Sequence, residues 1–260
     1  MSDLPAFDEI LNFRDMGGLP AADGVIAANR LYRSGHLSGA SAADLERLAS
    51  LGLGGIVDFR VEIDMQGDGG ADPVIPGASP IPMPVVDEDG WVSDLRRILI
   101  EADQDLLDET YGGGRARDMA IQGAVSQATD PSKQAVYGDF LRLVANGDTR
   151  PLLFHCSAGK DRTGWAATLV GMVVGVPDSQ LIAHYMESNR QDFVSLRLEH
   201  YAQRGLDATV ITPLMQVEEA NLDAALEAID QRWESRQTYL EEALGVDEAS
   251  AETIRSRLVV

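Results

Sequence analysis

The chain has 260 residues, 45% of them hydrophobic and 24% charged, which is ordinary globular usage and excludes wholesale disorder. Its 21 basic and 42 acidic side chains give a formal charge of −21, which excludes a general nucleic-acid or anionic-membrane binder, because both need a basic footprint. The one cysteine, Cys156, excludes an intramolecular disulfide framework and a cysteine-rich zinc site.

In chain order, residues 12–36 read as turn-rich, with Gly17-Gly18 and Asp23-Gly24 as breakers. Ser41 to Leu51 predicts a short helix, Ser41 capping it and Leu45 and Leu48 sharing a face. Ile56 to Phe59 is an apolar run released by Gly54-Gly55 and suits a buried strand. Five prolines between 73 and 84 predict extended or looping chain. Trp91 to Leu107 reads as one amphipathic helix, with Leu95, Ile98, Leu99 and Leu106 apolar, and Gly112-Gly113-Gly114 ends it. Long, weakly patterned segments in compact domains are commonly functional. Residues 86–130 are therefore expected to form a lid or insert within a single domain spanning 1–260, a surface excursion without consequence being the competing reading.

Helical spacing resumes at Ser132 to Val144, and Leu152-Leu153-Phe154 predicts a second short strand. Arg162 to Val174 reads as a buried helix. Four more helical segments follow: one capped by Asp178 through Asn189, one from Pro213 to Ile229, one from Arg232 to Leu244, and a last one capped by Asp247. No apolar run reaches the roughly 18 residues of a membrane span, so no stable membrane insertion is expected. The first five residues lack a secretory signal pattern. The expected compartment is the cytoplasm, with signal-less export left open.

The chemistry concentrates at His155-Cys156-Ser157-Ala158-Gly159-Lys160-Asp161-Arg162-Thr163-Gly164. An apolar strand ends there, a short loop with a glycine follows, and a helix begins. Strand, tight loop and helix N-terminus aim successive backbone N–H groups at one point, and the helix dipole adds positive potential. That makes a cradle for a tetrahedral dianion, with Cys156 at its floor. A thiol beside a helix N-terminus and cations is held as thiolate, a nucleophile aimed at whatever the loop binds. Arg162, six positions later, can return to the same anion and grip two oxygens with its planar guanidinium. The Thr163 hydroxyl can hydrogen-bond the thiolate and make it a better leaving group. These parts suit phosphoryl transfer to cysteine better than acyl transfer.

This segment resembles the signature of cysteine-dependent protein-tyrosine phosphatases, and its Gly-Lys-Asp-Arg-Thr-Gly form is similar to the bacterial and fungal subfamily that has mycobacterial members. Asn12-Phe13-Arg14-Asp15-Met16-Gly17-Gly18, Leu31-Tyr32-Arg33-Ser34 and Val57-Asp58-Phe59-Arg60 with Glu62 agree with it. The resemblance implies an α/β fold, with a mostly parallel sheet of four or five strands flanked by helices on both faces. It implies a phosphate-binding loop at 155–163, in which Ser157, Ala158, Gly159, Lys160, Asp161 and Arg162 bind substrate. It further implies hydrolysis of phosphotyrosine, with phosphoserine, phosphothreonine or phosphoinositides as further substrates, and no metal or cofactor. The expected partner is thus a phosphorylated protein or a phosphoinositide.

The resemblance favours Asp161 as general acid, with Asp87 as the rival and Asp89 a third candidate. It suggests phosphoinositide headgroup binding for Lys160. Arg14, Asp15, Arg33, Asp58, Arg60 and Glu62 match family positions and are expected to form an ion-pair scaffold. His155 reads as a support that fixes the loop, while His36, His184 and His200 read as structural. A catalytically silent phosphate-binding module and a rhodanese-type sulfurtransferase are the competing classes. Oligomeric state stays open.

Overall fold

The computed structural model describes residues 7–86, 90–147, 150–189 and 193–260. Its first part holds strands β1 (Arg14–Asp15), β2 (Pro20–Ala21), β3 (Gly24–Val25) and β4 (Leu31–Ser34), then helix α1 (Ala42–Ser50), β5 (Gly55–Asp58), α2 (Glu62–Gly67) and β6 (Ser79–Pro82). Four helices follow: α3 (Trp91–Glu101), α4 (Gln104–Tyr111), α5 (Arg115–Thr129) and α6 (Pro131–Asn146). After β7 (Leu152–His155) the rest is helical, with α7 (Arg162–Val174), α8 (Asp178–Met186), α9 (Phe193–Gln203), α10 (Thr212–Met215), α11 (Glu219–Arg232), α12 (Arg236–Glu242) and α13 (Glu248–Leu258).

The main sheet has the order β1-β4-β7-β5-β6, antiparallel only between β1 and β4. The expected mostly parallel α/β sheet is therefore present. Alternation along the strands separates its two faces. Leu31, Phe154 and Val57 pack with α6 and α7, through Tyr137, Phe140, Leu141, Leu169 and Val170. Tyr32, Leu153 and Ile56 face the other way, toward Leu48 of α1. Pro80 and Pro82 sit in β6, an edge strand, where a missing N–H costs no ladder bond on the open side.

A separate apolar group joins α3, α4 and the start of α5 to the chain after α9. Ile98, Leu99, Leu107, Tyr111 and Ala116 pack there with Leu206, Ala208, Ile211 and Met215. This helical cap draws on two distant stretches of sequence, and α5 runs from it into the main core, which takes Ala128.

Local chemistry explains the departures from expectation. The single helix expected over 91–107 is two, because Ala102 turns into the left-handed region at φ 55°. The helix expected from Pro213 breaks at Gln216, which is extended. There Val217 enters the main core, pinned by the Asn189 amide on both its N–H (2.9 Å) and its carbonyl (2.7 Å). Pro177, not Asp178, occupies the cap position of α8, and Asp178 pairs with Arg236 instead. Helices α5 and α9 had no clear signal of their own. No helix among the described residues is long and apolar enough to cross a membrane.

Candidate active site

Parallel register lines up Ser34, His155 and Asp58 at the carboxyl ends of β4, β7 and β5. In open α/β sheets this edge is where ligands sit. The chain leaves β7 into Cys156, which is 3% exposed, and enters α7 at Arg162.

The intervening loop is held by its carbonyls. Ser157 O accepts from His36 N–H (2.9 Å), Ala158 O from Asn12 Nδ2 (3.2 Å), and Gly159 O from Asn12 Nδ2 (2.9 Å) and Arg33 Nη2 (2.7 Å). A trans peptide points its N–H opposite to its C=O, so the following amides, of Ala158, Gly159 and Lys160, face the other side. Among the described residues, no backbone N–H from Ser157 to Asp161 donates to a backbone carbonyl. The hydroxyls of Ser157 and Thr163 are buried without a hydrogen-bond partner, so the expected bond from Thr163 to the sulfur is not formed here. Donors left on one side of a loop that opens a helix are of the kind an anion satisfies.

Gly159 makes the turn possible. Its φ is +70°, and a Cβ there would lie 2.3 Å from Ser34 O. Gly159→Ala therefore meets about 1–2 kcal/mol of left-handed strain plus a clash with backbone. The expected result is a lowered Tm; an unchanged Tm would contradict this account of the loop.

Arg162 opens α7 with Nη1 2.5 Å from Asp64 Oδ2 and 3.3 Å from Phe59 O. Asp64 is buried and also accepts from Val61 N–H (3.1 Å). Sequence reasoning missed this acid and favoured Glu62, which is exposed. The signal was there: Asp64 lies one helical turn beyond Val61, where an acid caps the start of α2. Among the described residues Arg33 pairs with no carboxylate, contrary to the scaffold expectation; it is fully buried and donates to the Gly159 carbonyl. His184, taken as merely structural, lies between Arg14 Nε (3.3 Å) and Arg33 Nη1 (3.5 Å). Burial first, then Arg33 and Arg14, hold its imidazole well below the usual range, hence neutral. Asp15 accepts from the backbone of Gly17 and Asn29 rather than from an arginine.

Behind the loop, Arg60 is an ion-pair hub, 2.8 Å from both Asp58 Oδ2 and Asp72 Oδ1 and 3.6 Å from Asp68 Oδ2. His155 Nε2 lies 2.9 Å from Asp72 Oδ2, and its Nδ1 is 3.2 Å from Cys156 O. Burial alone would raise Asp72, but His155 and Arg60 outweigh it and hold the carboxyl below its usual range. Asp58, Asp72 and His155 bring one potential metal ligand each within 4.8 Å. The Arg60 guanidinium already pairs with both carboxylates, so the cluster suits loop support better than a cation.

On the other flank, Asp161 is half-exposed and paired with Lys160 Nζ (3.1 Å). A cavity of about 90 Å³ opens beside it, lined by Lys160, Asp161 and Arg162 and by apolar side chains that include Ala124, Trp165, Leu214 and Leu222. It lies at the seam of cap and body. Asp87 and Asp89 lie outside the described residues.

Comparison with known proteins places the chain among relatives. A model described as the tyrosine phosphatase family matches residues 5–260. The chain is 38% identical over 262 residues to a Cupriavidus necator protein named as a tyrosine-protein phosphatase, covering 94% of this chain and 85% of that one. It is 27% identical over 283 residues to the triple specificity protein phosphatase PtpB of Mycobacterium tuberculosis, covering 95% and 96% of the two. A tyrosine-protein phosphatase of Nostoc commune matches at 42% over 59 residues, 20% of each chain.

Proposed function

Since this chain belongs to the tyrosine phosphatase family and is a protein phosphatase, we propose that it hydrolyses phosphotyrosine through a phosphocysteine intermediate on Cys156. The Cys156 thiolate attacks phosphorus in line, forming an S–P bond as the P–O ester bond breaks. Asp161 gives its proton to the departing phenolate oxygen. Water then attacks phosphorus, the S–P bond breaks, and Asp161 takes a proton from that water. Inorganic phosphate leaves and the thiolate returns. The loop amides and Arg162 hold the non-bridging oxygens throughout, and this preorganised stabilisation is the largest contribution. Thr163, whose hydroxyl is unpartnered in this structure, turns toward the sulfur in the second step and assists its departure. His155, Asp58 and Arg60 keep the loop in place from behind.

The observation that supports this reading is the outward anchoring of the 157–159 carbonyls, which turns the following amides toward one side of the loop. The apolar cavity beside Asp161 favours an aromatic ester over a bare alkyl one. A wider range, with phosphoserine, phosphothreonine or phosphoinositides hydrolysed in the same way, draws support from the name of the M. tuberculosis relative. The helical cap shields the thiolate from oxidation in this reading.

The test is the pH–rate profile of Asp161→Asn beside Asp87→Asn, on phenyl phosphate and nitrophenyl phosphate. Asp161→Asn is expected to lose the basic limb and to lower kcat on phenyl phosphate by about 10²–10⁴-fold. The loss should shrink on the nitrophenyl ester, whose leaving group needs no proton. A basic limb retained in Asp161→Asn and lost in Asp87→Asn would transfer the role to Asp87.

A further inference from the structure

Lys160 is only 9% exposed, although it sits in a polar loop. Its Nζ lies 2.9 Å from Leu214 O, 3.3 Å from Gln216 O and 3.1 Å from Asp161 Oδ2. An ammonium has three N–H donors and no acceptor, so these three oxygens engage all of them. Leu214 O belongs to the last turn of α10, where helix carbonyls lack internal partners. Gln216 O belongs to the extended link that follows. Met215 between them is buried in the cap core, and Val217 just beyond is buried in the main core. Residues 214–216 are therefore where cap meets body, and the phosphate loop reaches that junction through Lys160.

We propose that Lys160 is a positioning residue that straps the cap onto the phosphate loop and sets the Asp161 carboxylate in the same act. Cap closure and presentation of the acid are then one event. The second half of this inference rests on Asp161 being the general acid; the strap itself does not. A consequence concerns ligands. With its donors engaged in the closed form, Lys160 has none left for an inositol phosphate headgroup. The headgroup contact that the family resemblance suggests then requires the cap to open.

The experiment compares wild type with Lys160→Met, which keeps an unbranched side chain one atom shorter and removes its charge. Amide hydrogen exchange over 208–217 is expected to rise about tenfold or more, with α7 unchanged. On phenyl phosphate, kcat should fall about tenfold with KM little altered, and the loss should shrink on nitrophenyl phosphate. Unchanged exchange, with an effect confined to the KM of a soluble inositol phosphate, would overturn the strap and make Lys160 a headgroup contact. Should Lys160→Met fail to fold, Met215→Ala loosens the same junction with the ammonium in place. It should reproduce both the exchange and the kcat loss, and full kcat with raised exchange would overturn the coupling. If Asp161→Asn keeps its basic limb, the acid assignment fails, while the exchange result still decides the strap.

Discussion

Cys156→Ser is expected to leave less than about one part in 10³ of wild-type turnover of phenyl phosphate, with the fold and the affinity for inorganic phosphate retained. A serine hydroxyl needs a base to become a nucleophile. The adjacent imidazole, His155, is engaged otherwise: its Nε2 lies 2.9 Å from Asp72 Oδ2 and its Nδ1 3.2 Å from the Cys156 carbonyl. A sulfur nucleophile is intrinsically stronger than a hydroxyl and needs no such partner in the proposed reaction. The replacement is nearly isosteric at a buried position, so a folded but inactive protein is the outcome to look for by circular dichroism and steady-state kinetics. Turnover within tenfold of wild type would contradict the nucleophile assignment.

Arg162→Lys should lower kcat by about 10²–10³-fold, even though the charge is kept. Nη1 of the guanidinium holds Asp64 and the Phe59 carbonyl, and the planar two-pronged grip on an oxyanion that the proposed reaction needs is one an ammonium cannot reproduce. Asp64 would keep a cation nearby, so stability should change less than activity. A variant with near-normal kcat and raised KM would show that Arg162 contributes uniform binding rather than transition-state stabilisation.

What the sequence made legible was local. β7 and α7 were readable because a short apolar strand and a longer apolar helix flank one polar loop, and the start and end of α7 match expectation. The loop's partners were not readable. Arg33 and Gly159 are 126 positions apart, and Asn12 and Gly159 are 147 apart. Only the sheet, which sets β4 beside β7, brings them together. Asp64 was hidden by proximity to Glu62: both open α2, and only the helix phase buries one and exposes the other. The cap was half seen. The apolar positions of 91–107 marked an insert, but their partners around 206–215 follow a stretch with weak periodicity of its own. Lys160 was read as a ligand-facing charge, because nothing in the sequence tells that two carbonyls from α10 and its link lie against it.

The central claim is that phosphate passes through a covalent bond to Cys156. The most direct measurement is rapid-quench mass spectrometry of the enzyme mixed with phenyl phosphate, followed by peptide mapping. A phosphoryl group on the peptide carrying Cys156, formed and lost at rates that account for kcat, is the predicted result. Full turnover with Cys156 never modified, or with the phosphoryl group on another residue, would contradict it.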